Sequence, residues 1–159
     1  MGRQLQLEGM PRDELFLKIW AARALEDPEM HKLIVKCHMD YINAGATYIT
    51  TNSYAVQPGY YQSAFPDDWE PRIPAHHQLA AELAVEARSI AERDGAVNPG
   101  VVKVLGCLGP CRESHRPDLT RDFIQEFGAD RVVDFYATAA MALKAGGSDF
   151  LLAETMNSW

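Results

Sequence analysis

Three short apolar segments, each preceded by a helix-like stretch, constrain the fold of this 159-residue chain more than any other feature. They span residues 47–52, 101–107 and 149–154, and each becomes polar at its carboxyl end. Such segments are typical of strands covered on both faces of a parallel sheet. Strands that alternate with helices predict βα units, so we expect an α/β fold.

The junction between helix and strand occurs twice in similar form. Residues 44–51 read Ala-Gly-Ala-Thr-Tyr-Ile-Thr-Thr, and residues 145–152 read Ala-Gly-Gly-Ser-Asp-Phe-Leu-Leu. In both, glycine can end a helix just before a strand begins. We predict helices at four places: from an Asp27 cap to a Gly45 stop, and over about 75–93, 118–127 and 130–145.

The number of strands leaves two architectures open. A closed eight-unit barrel typically needs about 250 residues. A chain of 159 residues with three strands is therefore either a small open α/β domain or part of a barrel.

Residues 55–74 show no periodicity and carry four aromatic residues among four prolines. Stretches of this length without secondary structure are usually functional or disordered, and the aromatic residues favour an ordered segment. We predict a long lid-like loop over residues 55–74. The alternative is that its aromatic residues only cover the end of the sheet.

Polar side chains follow the predicted strands at their carboxyl ends, where parallel α/β folds place functional residues. Thr50, Asn52 and Tyr54 follow the first strand, and Glu154 and Thr155 end the third. Hydroxyl, amide and carboxylate groups together suit a small polar ligand that carries an amine. Because Glu154 follows apolar residues, we expect its carboxylate to lie at the top of the sheet and to bind a cation. The alternative is that Glu154 only caps the next turn.

Cys107, Cys111 and His115 form a C-x3-C-x3-H series that could indicate a metal. Structural zinc sites usually combine two closely spaced ligand pairs, and a second pair is missing here, so we predict no metal site. A metal protein on an open α/β sheet is the outside alternative. The other histidines fall at helix positions without ligand spacing and are predicted to lie on the surface: His31, His38, His76 and His77.

The charge balance argues against several classes of partner. Lys and Arg number 15 against 22 Asp and Glu, which gives a net charge of −7, and no basic run occurs. This composition argues against a nucleic-acid partner. No apolar run approaches the ~20 residues of a membrane span, and the N-terminus lacks a signal-peptide pattern. The three cysteines, an odd and widely spaced set, suggest no disulfide framework. We therefore predict a cytoplasmic protein without a membrane partner.

Six short segments match the motifs of one enzyme family in order. They are residues 1–6, 20–25 (Trp-Ala-Ala-Arg-Ala-Leu), 41–54, 105–110 (Leu-Gly-Cys-Leu-Gly-Pro), 114–119 (Ser-His-Arg-Pro-Asp-Leu) and 152–156 (Leu-Ala-Glu-Thr-Met). Through them the chain resembles the homocysteine S-methyltransferase family of zinc-dependent (β/α)8 TIM barrels, which includes betaine–homocysteine methyltransferases.

The resemblance implies a partial (β/α)8 barrel, about strands two to four with their helices, as one domain over residues 1–159. It implies methyl transfer to the thiol of homocysteine to give methionine, with homocysteine and a methyl donor as partners. Glu154 would pair with the amino group of homocysteine, and Thr50, Asn52, Tyr54 and Thr155 would line the same pocket. No catalytic residue is assigned.

The chain also departs from the family pattern. The family's first strand would precede Met1, and its zinc-binding cysteines would lie beyond Trp159. None of Cys37, Cys107 and Cys111 matches those ligands, so we expect this chain to bind no zinc and to transfer no methyl group by itself. The alternative function is a non-catalytic half-barrel that oligomerises or binds an amino-acid-like ligand. Open strand edges favour a homo-oligomer.

Overall fold

The four helices and three strands that the sequence predicted occur in the predicted order, and residues 1–156 contain four further short helices that it did not predict. The computed structural model describes residues 1–156, so residues 157–159 of the predicted domain lie outside the description. The elements are α1 (Gly2–Leu7), α2 (Glu14–Ile19), a 3₁₀ helix (Trp20–Leu25), α3 (Pro28–Asn43), β1 (Tyr48–Thr50), α4 (Pro58–Ala64), α5 (Trp69–Arg93), β2 (Lys103–Leu108), α6 (Pro117–Phe127), α7 (Ala129–Ala145) and β3 (Phe150–Ala153).

The three strands form one parallel sheet in the order β1-β2-β3. Tyr48 lies beside Lys103 on the neighbouring strand, and Leu105 lies beside Phe150 on the next. Parallel neighbours need a helical crossover, which the intervening helices supply. The predicted α/β fold with a parallel sheet is therefore confirmed.

One face of the sheet is covered by helices. Helix α5 packs between α3 and α7, and all three contact the sheet. The side chains of Ile49, Val102 and Val104 are buried against α3 and α5. Helix α5 has 25 residues, but neither it nor any other helix within residues 1–156 is long and apolar enough to cross a membrane.

The opposite face of the sheet is open within the described part of the chain. Tyr48 of β1 is 61% exposed and Phe150 of β3 is 56% exposed. Side chains alternate between the faces along a strand, so these residues point away from the helices that cover Ile49. Strands β1 and β3 each pair on one side only among residues 1–156.

Helix α3 begins and ends where the sequence predicted. The Asp27 carboxylate accepts a hydrogen bond from the Glu29 N–H at 3.0 Å, and Pro28 occupies the first helical position. Gly45 follows the helix with φ of 98°, a conformation that favours glycine. These local signals fix the direction in which the chain enters β1.

Residues 55–74 do not form the long loop that we predicted. They contain helix α4 and the first turns of α5, which begins at Trp69 rather than near residue 75. Prolines are typical of loops, but Pro58 lies at the start of α4 and Pro71 lies in the first turn of α5, where the N–H has no intrahelical partner. Pro74 lies inside α5, where a proline removes one helical hydrogen bond. Tyr61, on α4, is fully buried and holds this segment in the core.

Two of the four histidines assigned to the surface are buried instead. His38 on α3 is 1% exposed and His77 on α5 is 0% exposed. Each lies on the side of its helix that packs against other elements, among buried neighbours such as Cys37 and Ala81. Histidine is often exposed, so without tertiary contacts the sequence favours a surface position even where the residue faces the core.

Candidate functional site

A cavity of about 480 Å³ opens at the carboxyl ends of β1 and β3. Four of the five residues predicted for the site line it: Thr50, Asn52, Tyr54 and Glu154. Thr155 does not line this cavity; it is exposed and has φ of 53°. The structure thus brings together residues that are about one hundred positions apart in the chain, because parallel strands end at the same edge of a sheet.

Aromatic side chains form one wall of the cavity. The rings of Trp20 and Tyr54 stack, with centroids 5.9 Å apart and planes 10° apart, and Tyr60 packs against Trp20 at 5.5 Å. Trp20 has φ of 48°, which is strained for a residue with a side chain. We did not predict Trp20 as a site residue, although it begins the segment 20–25 that carries part of the family resemblance.

Asn52 ties the end of β1 to the 3₁₀ helix. Its side-chain amide donates a hydrogen bond to the carbonyl oxygen of Ala21 at 2.8 Å, and the residue is 5% exposed. One hydrogen bond donated by this amide is therefore made within the protein. Asn52 holds the 3₁₀ helix, and with it Trp20, against the cavity.

A closed ring of hydrogen bonds links β1 to β2 beside the cavity. The Cys107 N–H donates to Thr51 Oγ1 at 2.9 Å, and Ser53 Oγ donates to the Cys107 carbonyl oxygen at 2.8 Å. The two hydroxyl oxygens are 2.8 Å apart. Because the Ser53 proton is used on Cys107, the Thr51 hydroxyl must donate to Ser53. Each hydrogen bond in such a ring polarises the next, which strengthens all three.

The thiol of Cys107 contacts the carboxylate of Glu154. Sγ donates to Oε2 at 2.8 Å, and Cys107 is fully buried. Burial, together with the hydrogen bond to the neighbouring carboxylate and its negative charge, raises the pKa of this thiol well above its ordinary value. Cys107 therefore remains a thiol at neutral pH. The sequence suggested only a small buried apolar residue here and gave no sign of the contact.

The carboxylate of Glu154 has no cationic partner among residues 1–156. The thiol of Cys107 makes its side-chain hydrogen bond, and its backbone N–H donates to the Leu108 carbonyl at 2.9 Å. The residue is only partly buried and lines the cavity. An ionised carboxylate in this position favours a bound cation, and the cavity is where such a cation can enter.

The residues of the C-x3-C-x3-H series do not converge. The Cys111 thiol donates to the Tyr136 hydroxyl at 3.4 Å, and His115 lies 3.2 Å from the Glu113 carboxylate on the surface. Within the described part of the chain, no three His, Cys, Asp or Glu side chains come together as metal ligands. The three side chains of this series therefore do not form a zinc site.

Sequence comparisons connect the whole chain to one family. The family model described as Homocysteine S-methyltransferase matches residues 1–159. Homocysteine S-methyltransferase 1 of Arabidopsis thaliana is 27% identical over 162 aligned residues, and the protein of the same name from Brassica oleracea var. italica is 26% identical. Both alignments cover 96% of this chain and 47% of the plant protein. The chain thus spans about half the length of the curated relatives it matches.

Solved structures also show that this chain is similar to a homocysteine methyltransferase. The metallated form of the homocysteine methyltransferase MmuM from Escherichia coli superposes with a TM-score of 0.70 at 27% identity. The oxidised form of that enzyme gives 0.71 at 26% identity. Each superposition covers 98% of this chain and 51% of the MmuM chain.

Proposed function

Because the chain belongs to the homocysteine S-methyltransferase family, we propose that it serves methyl transfer to the thiol of homocysteine, which yields methionine. Homocysteine and a methyl donor are the proposed partners. The contribution of this chain is the amino-acid end of the substrate site. Its cytoplasmic location and its lack of nucleic-acid and membrane partners stay predictions from composition.

One observation carries the proposal: the Glu154 carboxylate lines a cavity of about 480 Å³ and has no cationic partner in residues 1–156. An α-ammonium group placed there would gain charge-assisted hydrogen bonds, which are stronger than neutral ones. Thr50 and Tyr54 line the same cavity and offer hydroxyl groups to the rest of a polar ligand. Trp20 and Tyr54 supply an apolar wall for an aliphatic side chain.

For the architecture, we propose a partial (β/α)8 barrel that comprises about strands two to four. The parallel order β1-β2-β3 and the helices on one face support it, as does the superposition on MmuM. In the family reaction that the resemblance implies, zinc would activate the substrate thiol. The described residues offer no ligand set for it, so we propose that this chain alone binds no stoichiometric zinc. Metal analysis of the purified chain tests that proposal, and one zinc per chain would refute it.

Amino-acid binding tests the role of Glu154. Isothermal titration with L-methionine, and with L-homocysteine under reducing conditions, is expected to show binding that Glu154→Gln weakens tenfold or more, because the substitution removes the charge but keeps the shape. N-acetyl-L-methionine, which lacks the ammonium group, serves as the matched ligand and is expected to bind both proteins equally weakly. Glu86→Gln on the exposed side of α5 is the control variant. Equal affinity of the Glu154→Gln and wild-type chains for L-methionine would refute the proposal.

The open sheet face supports a second candidate, a half-barrel module that self-associates. Tyr48 and Phe150 expose large side chains there, and unpaired strand edges favour pairing with another chain. A dimer about a twofold axis would cover both features. Light scattering at micromolar concentration is expected to give a mass above that of the 17.7 kDa chain, and a stable monomer would refute self-association.

A further inference from the structure

Two hydrogen bonds hold Glu154 at the end of β3. Its backbone N–H is fixed by the Leu108 carbonyl at 2.9 Å, and its Oε2 accepts from the Cys107 thiol at 2.8 Å. Within residues 1–156, no hydrogen bond reaches Oε1. One carboxylate oxygen is therefore held by the protein while the other is available to a ligand in the cavity.

Cys107 is in the correct chemical state to act as a donor. A thiol donates only while it is protonated, and both burial and the neighbouring carboxylate raise the pKa of Cys107. A raised thiol pKa also leaves little thiolate at neutral pH, and thiolate is the form that attacks substrates or binds metals. The chemistry of this cysteine is hydrogen bonding.

The backbone of Cys107 is itself fixed. Its N–H and its carbonyl oxygen are both used in the ring with Thr51 and Ser53, which are 4% and 0% exposed. The thiol consequently projects from a rigid base on β2 towards β3. A continuous set of hydrogen bonds thus runs from the end of β1 through β2 to the carboxylate on β3.

We propose that Cys107 is a positioning residue for substrate binding: its thiol holds Oε2 of Glu154, so that Oε1 faces the cavity and receives the ammonium group of the amino acid. This inference rests on the proposed function, since it assigns Glu154 the same ligand. It gives a role to Cys107, which the sequence pattern indicates only as a small buried apolar residue. Rotation of the carboxylate is restricted before the ligand arrives, so less freedom is lost on binding.

Substitutions of Cys107 test the inference by titration of the 159-residue chain with L-methionine. Cys107→Ala removes the S–H donor and is expected to weaken binding of L-methionine fivefold to tenfold. This is the effect expected of one hydrogen bond from a weak donor to a charged group. Cys107→Ser keeps a donor and is expected to restore affinity to within about twofold of the wild-type chain. Cys111→Ala is the matched control, because Cys111 is equally buried and its thiol contacts Tyr136 instead.

Two further measurements separate positioning from a loss of folding. The affinity for N-acetyl-L-methionine is expected to be the same in Cys107→Ala and wild-type chains. General damage to the site would instead weaken the binding of both L-methionine and N-acetyl-L-methionine. In a double-mutant cycle, Cys107→Ala is expected to have no effect once Glu154 is Gln. An effect of Cys107→Ala that persists in the Glu154→Gln background would overturn the inference.

The possible failures are distinguishable. If Glu154→Gln binds L-methionine like the wild-type chain, or the wild-type chain does not bind it, the proposed function fails and the inference fails with it. If Glu154→Gln loses affinity while Cys107→Ala keeps it, the inference alone is overturned.

Discussion

Lowering the pH from 7.5 to 5.0 is expected to destabilise this protein through two buried histidines. Burial lowers the pKa of His38 to about 4 and that of His77 to about 4, from an ordinary value of 6.5. The buried Nε2 atom of each ring has no hydrogen-bond partner in the described part of the chain. A charged imidazole at either place would lose most of its hydration and would have no counter-ion within the described residues, so the folded state keeps both rings neutral.

The sign and size of the effect follow from proton linkage. Because each folded-state pKa lies below the unfolded value, the unfolded chain binds protons first as the pH falls. Stability is therefore fully present above about pH 6.5 and is lost progressively down to about pH 4. One pKa unit corresponds to about 1.36 kcal/mol, so each histidine costs about 2 kcal/mol at pH 5 and about 3 kcal/mol below pH 4. The two together remove about 4 kcal/mol at pH 5, a large part of the 5–15 kcal/mol typical of a domain.

Urea unfolding followed by circular dichroism at several pH values between 7.5 and 5.0 measures this loss. The slope below pH 6.5 is expected to correspond to the uptake of at least two protons on unfolding, because burial also lowers the pKa of His76. His77→Leu is expected to lower the slope by the uptake of about one proton, since it deletes one of the contributing groups. His115→Gln is the control, because the His115 side chain is 73% exposed. A free energy of unfolding that stays constant from pH 7.5 to 5.0, or a full slope in His77→Leu, would refute the reasoning.

Two substitutions test the packing around the site. Gly109→Ala is expected to destabilise the protein by about 1–3 kcal/mol in urea unfolding, because an added Cβ would overlap the carbonyl oxygen of Tyr54; Gly2→Ala, whose Cβ would meet nothing closer than 3.5 Å, is the control and is expected to be neutral or stabilising. Tyr61→Phe removes the hydrogen bond of 2.7 Å between the buried hydroxyl and His76 Nδ1 and is expected to cost about 1 kcal/mol. Thermal melts that place Gly109→Ala or Tyr61→Phe level with the wild-type protein would contradict these expectations.

Much of the candidate site could be predicted because strand ends have a local signature. An apolar run that turns polar at Thr50 or Glu154 indicates both a strand and the edge at which it ends. Parallel pairing then brings those edges to one cavity, without any knowledge of individual contacts. The same reasoning could not place Thr155, whose position depends on how the chain turns after β3.

Other features were decided by packing. Residues 55–74 contain prolines that are typical of a loop, yet Pro58 starts α4 and Pro74 lies inside α5, and Tyr61 on α4 is buried in the core. His38 and His77 have polar side chains, yet the helices that carry them turn those positions inwards. The type of a residue indicates whether its side chain prefers water, whereas the fold determines whether that side chain reaches water.

The sequence by itself determined the α/β class, the three strands, the start of α3 and four of the residues that line the cavity, because periodicity, capping and strand-end polarity act over a few neighbouring residues. The tertiary structure alone decided the ring formed by Thr51, Ser53 and Cys107 and the bond from Cys107 to Glu154. Three of these four hydrogen bonds, all made by Cys107, join residues 47 to 56 positions apart. Their geometry depends on the register of separate strands, which appears in no local pattern of the chain.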